Sequence, residues 1–183
     1  LQDLDRDSVS QVFLFFDLDI HGLAQSIEQS CEQLDELLNF FDNETENGKL
    51  FLSYPMVEVV NICDRSNGLM PEDRKLFKIC DCEEDGFKHF VNDLNRDSKT
   101  ICRANCRENW LIICRANYEK AQWLMHLTSE ELFSVLDQMQ QAAILQHQQK
   151  LIKQDNVVAT LSAFPFFLLE YLGAGKIARM IDP

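Results

Sequence analysis

The sequence has no long apolar run. Its longest, Ala163 to Leu169, covers seven residues, against the roughly 20 that a bilayer-spanning helix needs, so no membrane span is expected. No basic-then-apolar segment opens the chain, and a cytoplasmic setting is expected rather than export. Cationic residues are scarce: 17 Lys and Arg stand against 30 Asp and Glu, a formal net charge of −13. A surface so acidic repels a phosphate backbone, which excludes general nucleic-acid affinity driven by net charge. Disulfide patterning is also missing. The seven cysteines are odd in number, and reduced thiols are the expectation.

What is present is ordinary globular material. The 183 residues are 46% hydrophobic and 26% charged, neither disordered nor fibrous. A chain of this size buries about 70% of its unfolded surface without needing a metal or disulfide staple. Charge is unevenly spread: from Leu1 to Asn47 there are twelve acidic residues and one basic residue, Arg6. From Lys99 to Lys120 the balance inverts, with Lys99, Arg103, Arg107, Arg115 and Lys120 against Glu108 and Glu119.

Hydrophobic patterning predicts a strand over 11–16, buried on both faces, then a helix with Leu23, Ile27, Cys31, Leu34, Leu38 and Phe41 at helical spacing. Residues 42–49 read as a polar loop, 50–53 as a second strand, and Pro55 opens a helix running to Val60. Strand, helix, strand, helix indicates a parallel βαβ unit. Further on, 64–73 reads as loop, 86–94 as a short helix, and 103–125 and 129–153 as longer helices. The last carries a capping box, Thr128-x-x-Glu131, and an apolar face through Leu132, Val135, Met139, Ala142 and Leu151. Residues 156–163 read as a late strand. Residues 164–172 read as a helix with Gly173 at its C-terminus. Trp110, Trp123 and Phe164 to Phe167 are expected in the core. Ile101-Cys-Arg-Ala-Asn105 nearly recurs as Ile113-Cys-Arg-Ala-Asn117, but one echo establishes no repeat.

The sharpest chemical feature is Phe15-Phe16-Asp17-Leu18-Asp19. Two carboxylates at i and i+2 leave the carboxyl end of a strand, where open α/β sheets place ligands. There they can converge on a hard cation such as Mg²⁺. The plainer alternative is an acidic turn, with Asp19 as a helix N-cap. Glu58, in Ser53-Tyr54-Pro55-Met56-Val57-Glu58, follows the next strand and emerges at the same sheet edge. Its plainer alternative is an acid favourably placed near a helix N-terminus. His21 either orients a water or phosphate there or faces solvent from a loop.

The run VFLFFDLDIH, its following helix and KLFLSYPMVEVV resemble the Toprim domain of overcoming-lysogenization-defect nucleases and Toprim-like proteins of phage defence. The resemblance covers about residues 9–62; the closing NVVATLSAFPFFLLEYLG is similar to uncharacterised Toprim-like proteins. It implies an α/β fold: a Toprim-like parallel sheet flanked by helices, with a helical C-terminal part. It also implies Mg²⁺ or Mn²⁺ held by Asp17, Asp19 and Glu58 for phosphodiester cleavage. The expected division is a Toprim-like core over 1–65, a mostly helical insertion over 66–155, and a strand and helix over 156–183 returning to the core. The family's further Glu, on a strand upstream of D-x-D, has no counterpart in the sixteen residues before Asp17, and an N-terminal portion is expected to be missing.

Other readings compete. A haloacid-dehalogenase-type phosphatase also ends its first strand in D-x-D, with Asp17 as nucleophile, Asp19 as general acid and Ser53 as second motif. That family expects Gly-Thr after the second Asp, where Ile20-His21 stands here. Cys80, Cys82, Cys102, Cys106 and His89 can be drawn as a zinc site, but zinc ligand pairs are usually flanked by turn residues, whereas Cys102 and Cys106 fall with Lys99 on one helical face, and ordinary buried or half-buried thiols are the plainer alternative. A non-enzymatic regulatory or partner-binding module on the same fold is the remaining alternative. Arg103 and Arg107, one helical turn apart, are the expected contact for substrate backbone or for an ATPase or other protein partner; the plainer alternative is a solvated face pairing with the acidic N-terminal region.

Overall fold

The computed structural model describes residues 8–18, 27–62, 76–79, 86–96, 107–129 and 131–182. The chain is mixed α/β, with a small mixed sheet, a two-stranded ribbon and several helices. Among the described residues, no helix is long and apolar enough to cross a membrane.

Strand β1 (Phe13–Asp17) pairs in parallel with β3 (Gly48–Ser53), in register from Phe13↔Lys49 to Asp17↔Ser53. Helix α1 (Ile27–Phe40) lies between them in sequence, so the expected βαβ order is present. Residues 42–49, expected to be loop, form a hairpin: β2 (Asp42–Asn43) pairs antiparallel with the start of β3. Asn43 Oδ1 accepts the Thr45 N–H at 2.9 Å and so holds the turn. Gly48 closes the hairpin at φ 109°, a backbone conformation that strains any residue with a side chain, and Val12 Cγ1 at 3.2 Å from where a Cβ would stand would have to give way slightly.

Leu50, Phe51 and Leu52 of β3 are fully buried. The outer edge of β3 is completed piecemeal: the N–H of Leu50 donates to Phe41 O, that of Leu52 to Gln141 Oε1, and that of Tyr54 to Leu161 O. A helix side chain therefore fills a place that a strand would otherwise take. Strand β1 departs from expectation. Phe15 and Phe16 are 39% and 45% exposed, because β1 is an outer strand of this sheet rather than an inner one. Phe13 and Phe15 still pack on Phe51 and on Phe164 and Phe167 of the helix that covers that face.

Pro55 does not open a helix. It follows a cis bond, Met56 is extended, and a short 3₁₀ turn begins at Val57 and ends at Asn61. Strand β4 (Leu76–Lys78), not anticipated, pairs antiparallel with β5 (Val157–Ala159), which is shorter than the strand expected over 156–163. Helices α2 (Gly86–Arg96) and α3 (Arg107–Leu124) follow β4 in the chain.

The single helix expected over 129–153 is two elements, a 3₁₀ segment Leu132–Gln138 and α4 (Gln141–Asp155). The capping box does not form. Ser129 Oγ accepts the Glu131 N–H at 3.2 Å instead. The break resets the helical phase: α4 buries Gln141, Ile144, Leu145, Gln148 and Ile152, while Ala142 of the expected face is exposed. Asn156 ends α4 in the left-handed region at φ 55°. Helix α5 (Ala163–Leu172) covers the Phe51 face of the sheet, and Gly173 at φ 80° turns the chain into α6 (Ala174–Ile181), also unanticipated. Phe166 is buried and Phe164, Phe167 and Trp110 are half-buried, but Trp123 is 39% exposed, against the expectation of a core residue.

Candidate functional site

Asp17 ends β1 directly beside Ser53, the last residue of β3. The chain then turns through Tyr54 to Met56 and presents the 3₁₀ turn at the same sheet edge. The Val57 N–H of that turn donates to the Asp17 carboxylate, and Glu58 is close enough for its charge to act on Asp17. Burial first, and the Glu58 charge second, push the Asp17 carboxyl above its ordinary range; the Val57 bond and the Lys88 ammonium pull the other way. Glu58 is half-buried, and its Oε2 is enclosed with no hydrogen-bond partner.

Of the three acids expected to converge at this edge, Asp17 and Glu58 lie near enough for the charge of one to act on the other. Asp19 and His21 lie outside the described residues. Among the described residues, no group of three or more His, Cys, Asp or Glu side chains is arranged to hold a metal ion. Lys88, from α2, was not anticipated. It reaches the site because α2 packs on the 3₁₀ turn, a contact between segments about thirty residues apart that no local pattern announces.

Ser53 is buried, and its Oγ accepts the Ala163 N–H at 3.4 Å. That contact ties the end of β3 to the start of α5. Cys31 and Cys114 are buried free thiols; Cys80, Cys82, Cys102 and Cys106 lie outside the described residues, and His89 is exposed on α2.

The cationic stretch presents less charge than its composition suggests. Lys120 is buried, its ammonium donating to the Thr160 carbonyl. Arg115 pairs with Glu119 at 3.0 Å. Arg103 lies outside the described residues; Arg107 opens α3, and its side chain is outside them too.

No protein-family model matches the chain, and no curated protein or solved structure matches it.

Proposed function

We propose that the chain is a divalent-metal-dependent phosphodiester hydrolase of Toprim type, acting on nucleic acid in the cytoplasm and serving phage defence. The observation that carries this reading is the placement of Asp17 at the carboxyl edge of a parallel strand pair, within range of the Glu58 charge, with Glu58 Oε2 enclosed and unpartnered. An enclosed carboxylate oxygen without a donor is costly, and a cation relieves that cost as well as the repulsion between the two acids. Asp17, Asp19 and Glu58 would hold Mg²⁺ or Mn²⁺, hard ions suited to carboxylate oxygens. Such an ion supplies activation of water and stabilisation of the leaving oxygen in phosphodiester hydrolysis. Arg103 and Arg107 supply the contact to substrate backbone, or to an ATPase or other partner that presents the substrate to this acidic protein.

Calorimetric titration of the full-length protein with Mn²⁺, paired with cleavage of single- and double-stranded nucleic acid, tests the reading. Wild type binds Mn²⁺ and cleaves; Glu58→Gln keeps its fold, binds Mn²⁺ about tenfold or more weakly, and loses cleavage by a larger factor. Absence of binding at about millimolar Mn²⁺ overturns it. One observation favours a second reading, a non-enzymatic partner-binding module: the Asp17 carboxylate already accepts the Val57 N–H, a structural duty needing no metal. That reading expects a folded protein indifferent to Mn²⁺.

A further inference from the structure

Helix α3 ends in a turn that glycine ordinarily completes. The Leu127 N–H reaches Gln122 O at 3.0 Å, and the His126 N–H reaches Trp123 O at 3.2 Å. These are the two bonds of a Schellman closure, whose residue just past the helix end takes the left-handed region. Here that residue is His126, at φ 53°. Histidine is among the few side chains that tolerate this conformation, but it bears a strain that glycine avoids. The strained backbone holds an exposed imidazole at the end of α3. An outlier of this kind points to function when something nearby is placed to use the side chain.

His147 of α4 is so placed. The two imidazole rings have their centres 6.4 Å apart and their planes at 61°. Nδ1 of His147 lies 2.9 Å from the Ala143 carbonyl. A carbonyl only accepts, so Nδ1 carries the hydrogen, and Nε2 of the neutral ring keeps its lone pair. Tying one ring nitrogen to a backbone carbonyl is how proteins orient a metal-ligating histidine. Among the described residues, no hydrogen bond engages the His126 ring or His147 Nε2.

An ion about 2 Å from one nitrogen of each ring stands about 3 Å from each ring centre, so two rings on a tetrahedral ion lie about 5 Å apart. The pair is about 1 Å wider than that, and His126, being exposed, closes the gap by side-chain rotation. His126 also lines an open cavity of about 370 Å³ with Glu119, Trp123 and Thr128. An ion and its waters can enter there. The carbonyl end of the α3 dipole favours positive charge at this place.

We propose that His126 and His147 form a two-histidine site for a late first-row divalent ion, with waters completing its shell and Zn²⁺ as the probe of that class. Imidazole nitrogen suits such ions, whereas Mg²⁺ and Mn²⁺ suit carboxylate oxygen. The site shares no residue with the carboxylates at the β1 edge and differs from them in the ion it selects.

His126→Gly should act in opposite directions with and without metal. In chelator it should raise the melting temperature, because glycine relieves the left-handed strain. It should also weaken Zn²⁺ binding at the site about tenfold or more. His147→Gln should weaken binding as much without that gain. Binding is read at the imidazoles themselves, from Zn²⁺-dependent NMR shifts of the His126 and His147 ring signals, so that zinc taken up by thiols is not counted. In wild type both rings should shift together, and Mg²⁺ should move neither. Rings that ignore Zn²⁺, or that answer Mg²⁺ as well, overturn the proposal. So does a His147 ring that responds with unchanged affinity in His126→Gly, which would mean a single-histidine contact. A lower melting temperature of that variant in chelator overturns the strain argument. Asp17→Asn should leave the Zn²⁺ response intact; its loss there would overturn the independence of the two sites.

Discussion

Ionised Asp17 is disfavoured by its own surroundings: partial burial and the Glu58 charge both favour its protonated form. The folded state therefore holds that proton more tightly than the unfolded chain, whose carboxyl titrates near 3.8. Stability falls as pH rises from that value through the raised one, and the full cost is present at neutral pH. Asparagine keeps an acceptor for the Val57 N–H and removes the charge. Asp17→Asn should raise the melting temperature slightly at pH 7 in chelator, by an amount limited because solvent still reaches the residue. The gap should close below pH 3.8. A lower melting temperature at pH 7 would mean that the Val57 contact outweighs the repulsion. This pair of acids was legible because strand-helix-strand order is local, and parallel pairing brings both strand ends to one edge. Lys88 was not, because its place depends on how α2 packs.

At the scale of elements, helix α4 is the instructive case. An apolar face drawn through Val135, Met139 and Ala142 assumes one uninterrupted helix. The break at Met139 and Gln140 shifts the buried stripe by one position, so that Gln141 and Gln148 face inward. Composition argues against burying glutamines, and nothing in the local pattern reveals that they replace strands. Gln148 grips Ala159 of β5 with both ends of its amide, Nε2 to the carbonyl at 2.7 Å and Oε1 from the N–H at 2.9 Å. Asn117 similarly accepts the Ser162 N–H at 2.7 Å, and Lys120 takes the Thr160 carbonyl. The segment after β5 thus crosses the core with side chains as its hydrogen-bond partners. Gln148→Met preserves volume but orphans two buried backbone groups, and should cost about 2–4 kcal/mol in urea unfolding. A loss under about 0.5 kcal/mol, the range of surface substitutions, would mean the strand finds other partners.

Across the whole molecule, the legible part is the N-terminal βαβ order and the α5 return, where apolar runs are continuous and end at polar, Gly or Pro residues. The illegible part is the ribbon of β4 and β5, because three-residue strands carry too little periodicity to announce themselves. Among the described residues, the segments leaving that ribbon and the first sheet meet at one bridge. Tyr54 and Leu161, more than a hundred residues apart in the chain, each donate an N–H to the other's carbonyl, at 2.8 and 2.9 Å, and both are fully buried. Neither proton is reached by solvent until the seam itself opens, so isotope exchange turns the bridge into a clock. The two amides should exchange at one common rate, governed by the same opening event, and more slowly than amides near the ribbon's exposed Lys78. Deuterium uptake followed by NMR reads this directly. Two distinct rates would mean that the seam is not one cooperative unit.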